Sequence, residues 1–170
     1  MTTLPQEAIL STLAEMGIAV VGFSLVAGIL RPQTQSDERR LFTLRGVAGF
    51  GLIVATMSVF PLVAHSYSLP TDSVWRLASA IVFVWAIAGI AADFVRLGQG
   101  LPAIAKRRPF TSGLVSVLIL LDFFLLGMNV VSPGPDAGSR YTTVMMLTLA
   151  HAGFMFLAIA FDTEKGGTAG

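Results

Sequence analysis

Three ionisable residues stand inside otherwise apolar stretches of this chain: Glu15 within residues 8–30, Asp122 within 112–131 and His151 within 141–161. In hydrocarbon such groups cost a few kcal/mol or more, so they normally face protein or water and mark ion pathways or proton relays. Each has polar company at helical spacing. Asn129 lies seven residues from Asp122, Thr148 three before His151, and Ser11 and Thr12 four and three before Glu15. Residues so spaced share a helix face, which leaves a narrow polar stripe on an apolar perimeter. Stripes that converge would line a wet cavity or a proton path. The chemistry open to acid and imidazole groups in that setting is proton exchange or cation passage. The plainer role is a hydrogen bond that ties helices together.

The stretches that hold these residues are long. Residues 112–131, SGLVSVLILLDFFLLGMNVV, form a run of 20 with one carboxylate near the middle. As a helix that length crosses a hydrocarbon core of about 30 Å. Four further runs fit the same description: 8–30, 46–64, 74–95 and 141–161. The expected fold is therefore all-α, a single transmembrane domain over residues 1–170 built as a bundle of five membrane-spanning helices. Pro61 should kink the end of the second span, which membrane helices tolerate when neighbours satisfy the freed carbonyl. Trp75 at the start of the third suits an interfacial anchor. Glycines in the first two spans, Gly17, Gly22, Gly28, Gly46, Gly49 and Gly51, suit close helix approach, although no span holds two glycines four residues apart.

Charge supplies an orientation. With the first loop, the third loop and the C-terminus on one side, that side holds Arg31, Arg39, Arg40, Arg45, Arg96, Lys106, Arg107, Arg108 and Lys165. The other side holds Arg76 and Arg140 alone. Basic residues in short loops favour the cytoplasm, so the N-terminus is expected outside and the C-terminus inside. Lys106–Arg108 reads as a topology determinant that also contacts anionic lipid, and Asp93 with Arg96 as a local i,i+3 pair. At about 1.5 Å of rise per residue, Asp122 and His151 both fall near mid-membrane, with Glu15 a turn or less further out.

Composition agrees with this picture and removes several classes of function. The chain is 54% hydrophobic and 12% charged, where soluble proteins carry about 25% charged residues. Its mean hydropathy is +0.77. A net charge of +1 offers nothing to nucleic acid. The absence of cysteine removes disulfides, thiol chemistry and iron–sulfur ligation. The opening MTTLPQE has no Lys or Arg, so the first span is expected to be retained, not cleaved as a signal peptide. No nucleophile-loop or HExxH motif is present, no lysine lies inside a span, and the two histidines sit at different depths. Neither enzymatic activity nor a cofactor or metal is expected. The leading expectation is a small oligomeric channel or transport subunit for ions or protons, with Glu15, Asp122, His151, Asn129 and Thr148 as its polar pathway. The contrasting one is a non-conducting scaffold or accessory subunit of a larger membrane complex.

The stretch 13–23, LAEMGIAVVGF, resembles the opening of small, uncharacterised multi-span integral membrane proteins of bacteria. There a glutamate precedes Gly-Ile-Ala and Gly-Phe, and an arginine closes the helix; here these are Glu15, Gly17, Ile18, Ala19, Gly22, Phe23 and Arg31. The resemblance covers this first span. It implies a multi-pass protein of the bacterial inner membrane and transfers no catalytic residue.

Overall fold

The computed structural model describes residues 4–29, 37–97 and 109–162, with side chains described for 4–29, 44–91 and 116–157. The architecture is all-α, and no strand occurs among the described residues. Among the described residues five helices follow in order: α1 Glu7–Ile29, α2 Asp37–Ser66, α3 Thr71–Leu97, α4 Pro109–Val131 and α5 Ala137–Asp162. Among the described residues, three segments are long and apolar enough to cross a membrane: Glu7–Ile29, Leu44–Ser66 and Thr71–Ala91. Ser116–Val131 is a shorter apolar helical segment.

The helices overrun the apolar stretches that announce them. α2 has 30 residues, a length of about 45 Å. It begins nine residues before the expected 46, because the polar run Asp37-Glu38-Arg39-Arg40 is itself helical. Acidic residues at a helix start and good helix formers behind them favour that extension. The helix also runs on through Pro61. It ends at a turn in which Ser68 adopts the left-handed region (φ 62°) and donates its N–H to the His65 carbonyl at 2.9 Å. The side chains of Arg31, Arg39, Arg40, Asp93, Arg96, Lys106–Arg108 and Lys165 lie outside the described residues, and with them most of the charge asymmetry and the Asp93–Arg96 pair.

The chain divides into two compact units, Met1–Val59 with Met145–Gly170, and Phe60–Val144. In the first, α1 meets the leading part of α2 backbone to backbone. A Cβ at Gly17 would stand 2.6 Å from the Gly51 carbonyl oxygen and 2.7 Å from the Ala55 nitrogen. One at Gly51 would meet the Gly17 oxygen at 2.7 Å. The buried stripe of α1 is Leu10, Leu13, Ala14, Gly17 and Ser24; that of α2 includes Val47, Gly51, Val54, Ala55 and Ser58. Both follow the i, i+3/i+4, i+7 period of a helix packed on one side. Gly22, Gly28 and Gly49 look into open space, and a Cβ at Gly46 would make only an ordinary contact. Close approach therefore falls to two of the six glycines that suit it by sequence.

In the second unit α3 packs against α4. Ser79 of α3 stands beside Asn129, and Phe83 meets Phe123 edge to face with ring centroids 5.1 Å apart. Moving forward along one helix therefore moves backward along the other, so the pair is antiparallel. Trp75 is 3% exposed and lies against Tyr141, centroids 5.7 Å apart. This corrects its expected role as an interfacial anchor. Its indole is packed inside the unit, since a large aromatic at a helix end serves equally as a plug between helices.

Candidate functional site

Polar side chains within these helices are mostly spent on their own backbone. Thr12 donates to the Ala8 carbonyl at 2.9 Å, Ser24 to Val20 at 2.8 Å and Thr142 to Gly138 at 3.1 Å. A hydroxyl can do this because the carbonyl one turn back lies within reach. Carboxylates, imidazoles and amides need partners from elsewhere, and the two units treat them differently.

Asn129 is wholly buried and fully engaged. Its amide nitrogen donates to the Ser79 hydroxyl at 3.1 Å and to the Ala137 carbonyl at 2.9 Å. Its oxygen accepts from an Arg140 Nη1 at 3.2 Å. One side chain of α4 thus joins α3 to the first turn of α5, and uses both its amide hydrogens. Arg140 in turn passes close to Gly134 in the connection between α4 and α5. This is the most developed polar network among the described residues. Nothing in the sequence singles out Ser79 or Arg140 for it; Arg140 enters there only as an outer charge. The available signal was slight: a serine among Leu77, Ala78 and Ala80 and an arginine four residues after Asp136 resemble many others.

Asp122 shares the α4 face of Leu126 and Asn129, about 10 Å further along the helix. Its Oδ1 is buried and has no hydrogen-bond partner among the described residues. Its helical neighbours one turn either way are Leu118, Ile119, Leu125 and Leu126. The α3–α4 register continues to residues 84–86, Val-Trp-Ala, at the level of Asp122; Val84 and Trp85 are exposed there, and the Trp85 indole, the one donor side chain of the three, does not reach Oδ1. A buried acceptor with no donor is costly to keep and is rare in folded proteins.

The first unit holds Glu15, Thr148 and His151. Glu15 is exposed on α1, with Ser11, Thr12, Ala19 and Gly22 on the same side, away from the Gly17 contact. His151 is half-buried and stacks on Phe50, ring centroids 5.1 Å apart and planes inclined by 25°. Thr148 is half-buried one turn before it. Ser58, which sequence did not suggest, is wholly buried with its Oγ unpartnered among the described residues. It continues the buried stripe of α2. Among the described residues no group of three or more His, Cys, Asp or Glu gathers to hold a metal ion.

Set against protein-family models, curated proteins and solved structures, the chain matches none, so its function rests on the residues just described.

Proposed function

We propose that this chain is a small multi-pass protein of the bacterial inner membrane that works, as an oligomer, as a channel or transport subunit for ions or protons. All five helices span the bilayer, with the N-terminus outside and the C-terminus in the cytoplasm. The buried, unpartnered Asp122 Oδ1 is the observation that carries the functional part. An acidic oxygen stranded at that depth among leucines and valines costs free energy that packing alone does not return. Glu15 and His151, with Thr148 and Asn129, are the other polar groups of the spans that serve conduction. No catalytic step and no cofactor belongs to this proposal.

Two further observations support it. The antiparallel run of α3 and α4 brings the connections 67–70 and 132–136 to one end of their unit, as consecutive spans require in either orientation. Glu15, exposed on an apolar helix beside Ile18, Ala19 and Gly22, would face acyl chains in a lone protomer. That cost is removed when a second subunit covers it.

Flux across vesicles reconstituted with the purified protein tests the proposal. Wild type is expected to conduct and Asp122→Ala to lose most of that flux. Equal flux in the two would overturn it.

A scaffold or accessory subunit is the second proposal, and the Asn129 network favours it, since three hydrogen bonds are there spent on joining helices. Its signature is a stoichiometric membrane partner that co-purifies, with no conductance from this protein alone.

A further inference from the structure

Resting on the transport proposal above, we infer that the species bound at Asp122 is the proton and not a metal cation. Two observations on α4 and α3 carry this. Asp122 Oδ1 is buried with no donor among the described residues, and its neighbours one turn either way on α4 are aliphatic side chains that can neither donate nor coordinate. Leu118, Ile119, Leu125 and Leu126 flank it on its own helix, and residues 84–86 of α3 stand at its level.

A hard cation needs a full oxygen shell: calcium takes six to eight oxygens, and magnesium keeps several waters beside one or two carboxylates, which a carboxylate packed among aliphatic side chains gives no room for. One carboxylate brings two. The nearest polar side chain on this face is Asn129, two turns away, and its oxygen and both amide hydrogens are already taken. Nor do three metal-ligating side chains gather anywhere among the described residues. A proton makes a smaller demand. It forms one O–H bond with one lone pair and leaves a neutral side chain, which apolar surroundings accept. The step balances without a further reactant. Hydronium gives its proton to the carboxylate oxygen and departs as water; in release the O–H bond breaks and water carries the proton away.

Among the described side chains of this unit, the titratable groups other than Asp122 stand at the Asn129 end. His65 and Tyr67 close α2, Asp72 and Arg76 open α3 and are exposed, and Asp136 is exposed in the connection. On α5, Arg140 is held by Asn129 and Tyr141 by Trp75. None of them stands at the level of Asp122 on the α3 side, so no titratable side chain described in this unit hands it the proton.

The test uses the full-length protein in lipid vesicles, with two readouts. A pH-sensitive dye inside the vesicles follows protons, and isotopic sodium and potassium follow the cations. Independently of flux, infrared spectra taken across a pH titration follow the C=O stretch of a carboxylic acid. The expected result is proton flux without sodium or potassium flux, and a titrating carboxylic band that Asp122→Asn abolishes together with the flux. Where Asp122→Asn fails to fold, Asp122→Glu is expected to keep the flux and move the band. Sodium or potassium flux that depends on Asp122, without proton flux, overturns the choice of proton and leaves the transport proposal standing. A carboxylic band with no flux of any ion upholds the proton site and overturns transport. No titrating band from Asp122 in the wild type overturns the proton site whatever the flux.

Discussion

Asn129 and Asp122 occupy one face of one helix and have opposite surroundings. The amide meets three partners; the carboxylate has an oxygen that meets none. Interhelical hydrogen bonds in membrane proteins are each worth about 0.6–2 kcal/mol, and stranding buried partners adds to the loss. Asn129→Ala is therefore expected to lower stability by about 2–4 kcal/mol. Ser79→Ala, which removes one acceptor and leaves two of the three bonds, should lose about 1 kcal/mol. Reversible unfolding in mixed detergent micelles measures both. Equal, negligible shifts would mean that the network does not hold α3 to α5. The sequence marks both residues as polar intruders on one face, because seven residues make nearly two whole turns. Which of them is satisfied depends on Ser79 and Arg140, 50 and 11 residues away, and local spacing does not report on that.

At the scale of the helix, each apolar run is legible and its rotation is not. Hydropathy locates the cores of α1 to α3 well, whereas the start of α2 moves because charged residues extend a helix as readily as apolar ones. The glycines make the same point. All six in the first two helices suit close packing, yet only Gly17 and Gly51 lie where two backbones touch. Gly17→Ala places a methyl within 3 Å of backbone atoms that cannot swing aside, and such overpacking costs about 1–3 kcal/mol. Gly51→Ala should behave alike. Gly22→Ala meets open space and should be neutral or slightly stabilising, since alanine is the better helix former. Thermal unfolding of the three variants checks the contrast. A Gly17→Ala variant as stable as Gly22→Ala would deny the α1–α2 contact its role. Trp75 follows the same logic, buried against Tyr141 because α3 is turned that way.

For the molecule as a whole, the charge distribution along the sequence makes the sharpest claim. Because the chain has no cysteine, single introduced thiols report sidedness directly. Ser132→Cys is expected to react with an impermeant maleimide added outside intact spheroplasts, and Gln99→Cys only after permeabilisation. The reverse pattern, or the same pattern at both positions, would exclude the proposed five-span topology. The flux loss expected of Asp122→Ala belongs to this scale as well, since the proposed conduction would be a property of the assembled protein.

Composition and the run lengths of apolar residues were enough to establish helices and to suggest a membrane, because both follow from local chain chemistry and the thickness of a bilayer. They were also enough to pick out Glu15, Asp122, Asn129, Thr148 and His151, since polar groups in fatty helices are conspicuous one by one. Packing decided the rest: Asn129 clasped by Ser79, Ala137 and Arg140, Gly17 against Gly51, His151 stacked on Phe50, Glu15 turned outward and Asp122 left with a bare oxygen. The angle at which a helix is rolled against its neighbours is set by the sum of all its contacts, and no single stretch of sequence holds that sum.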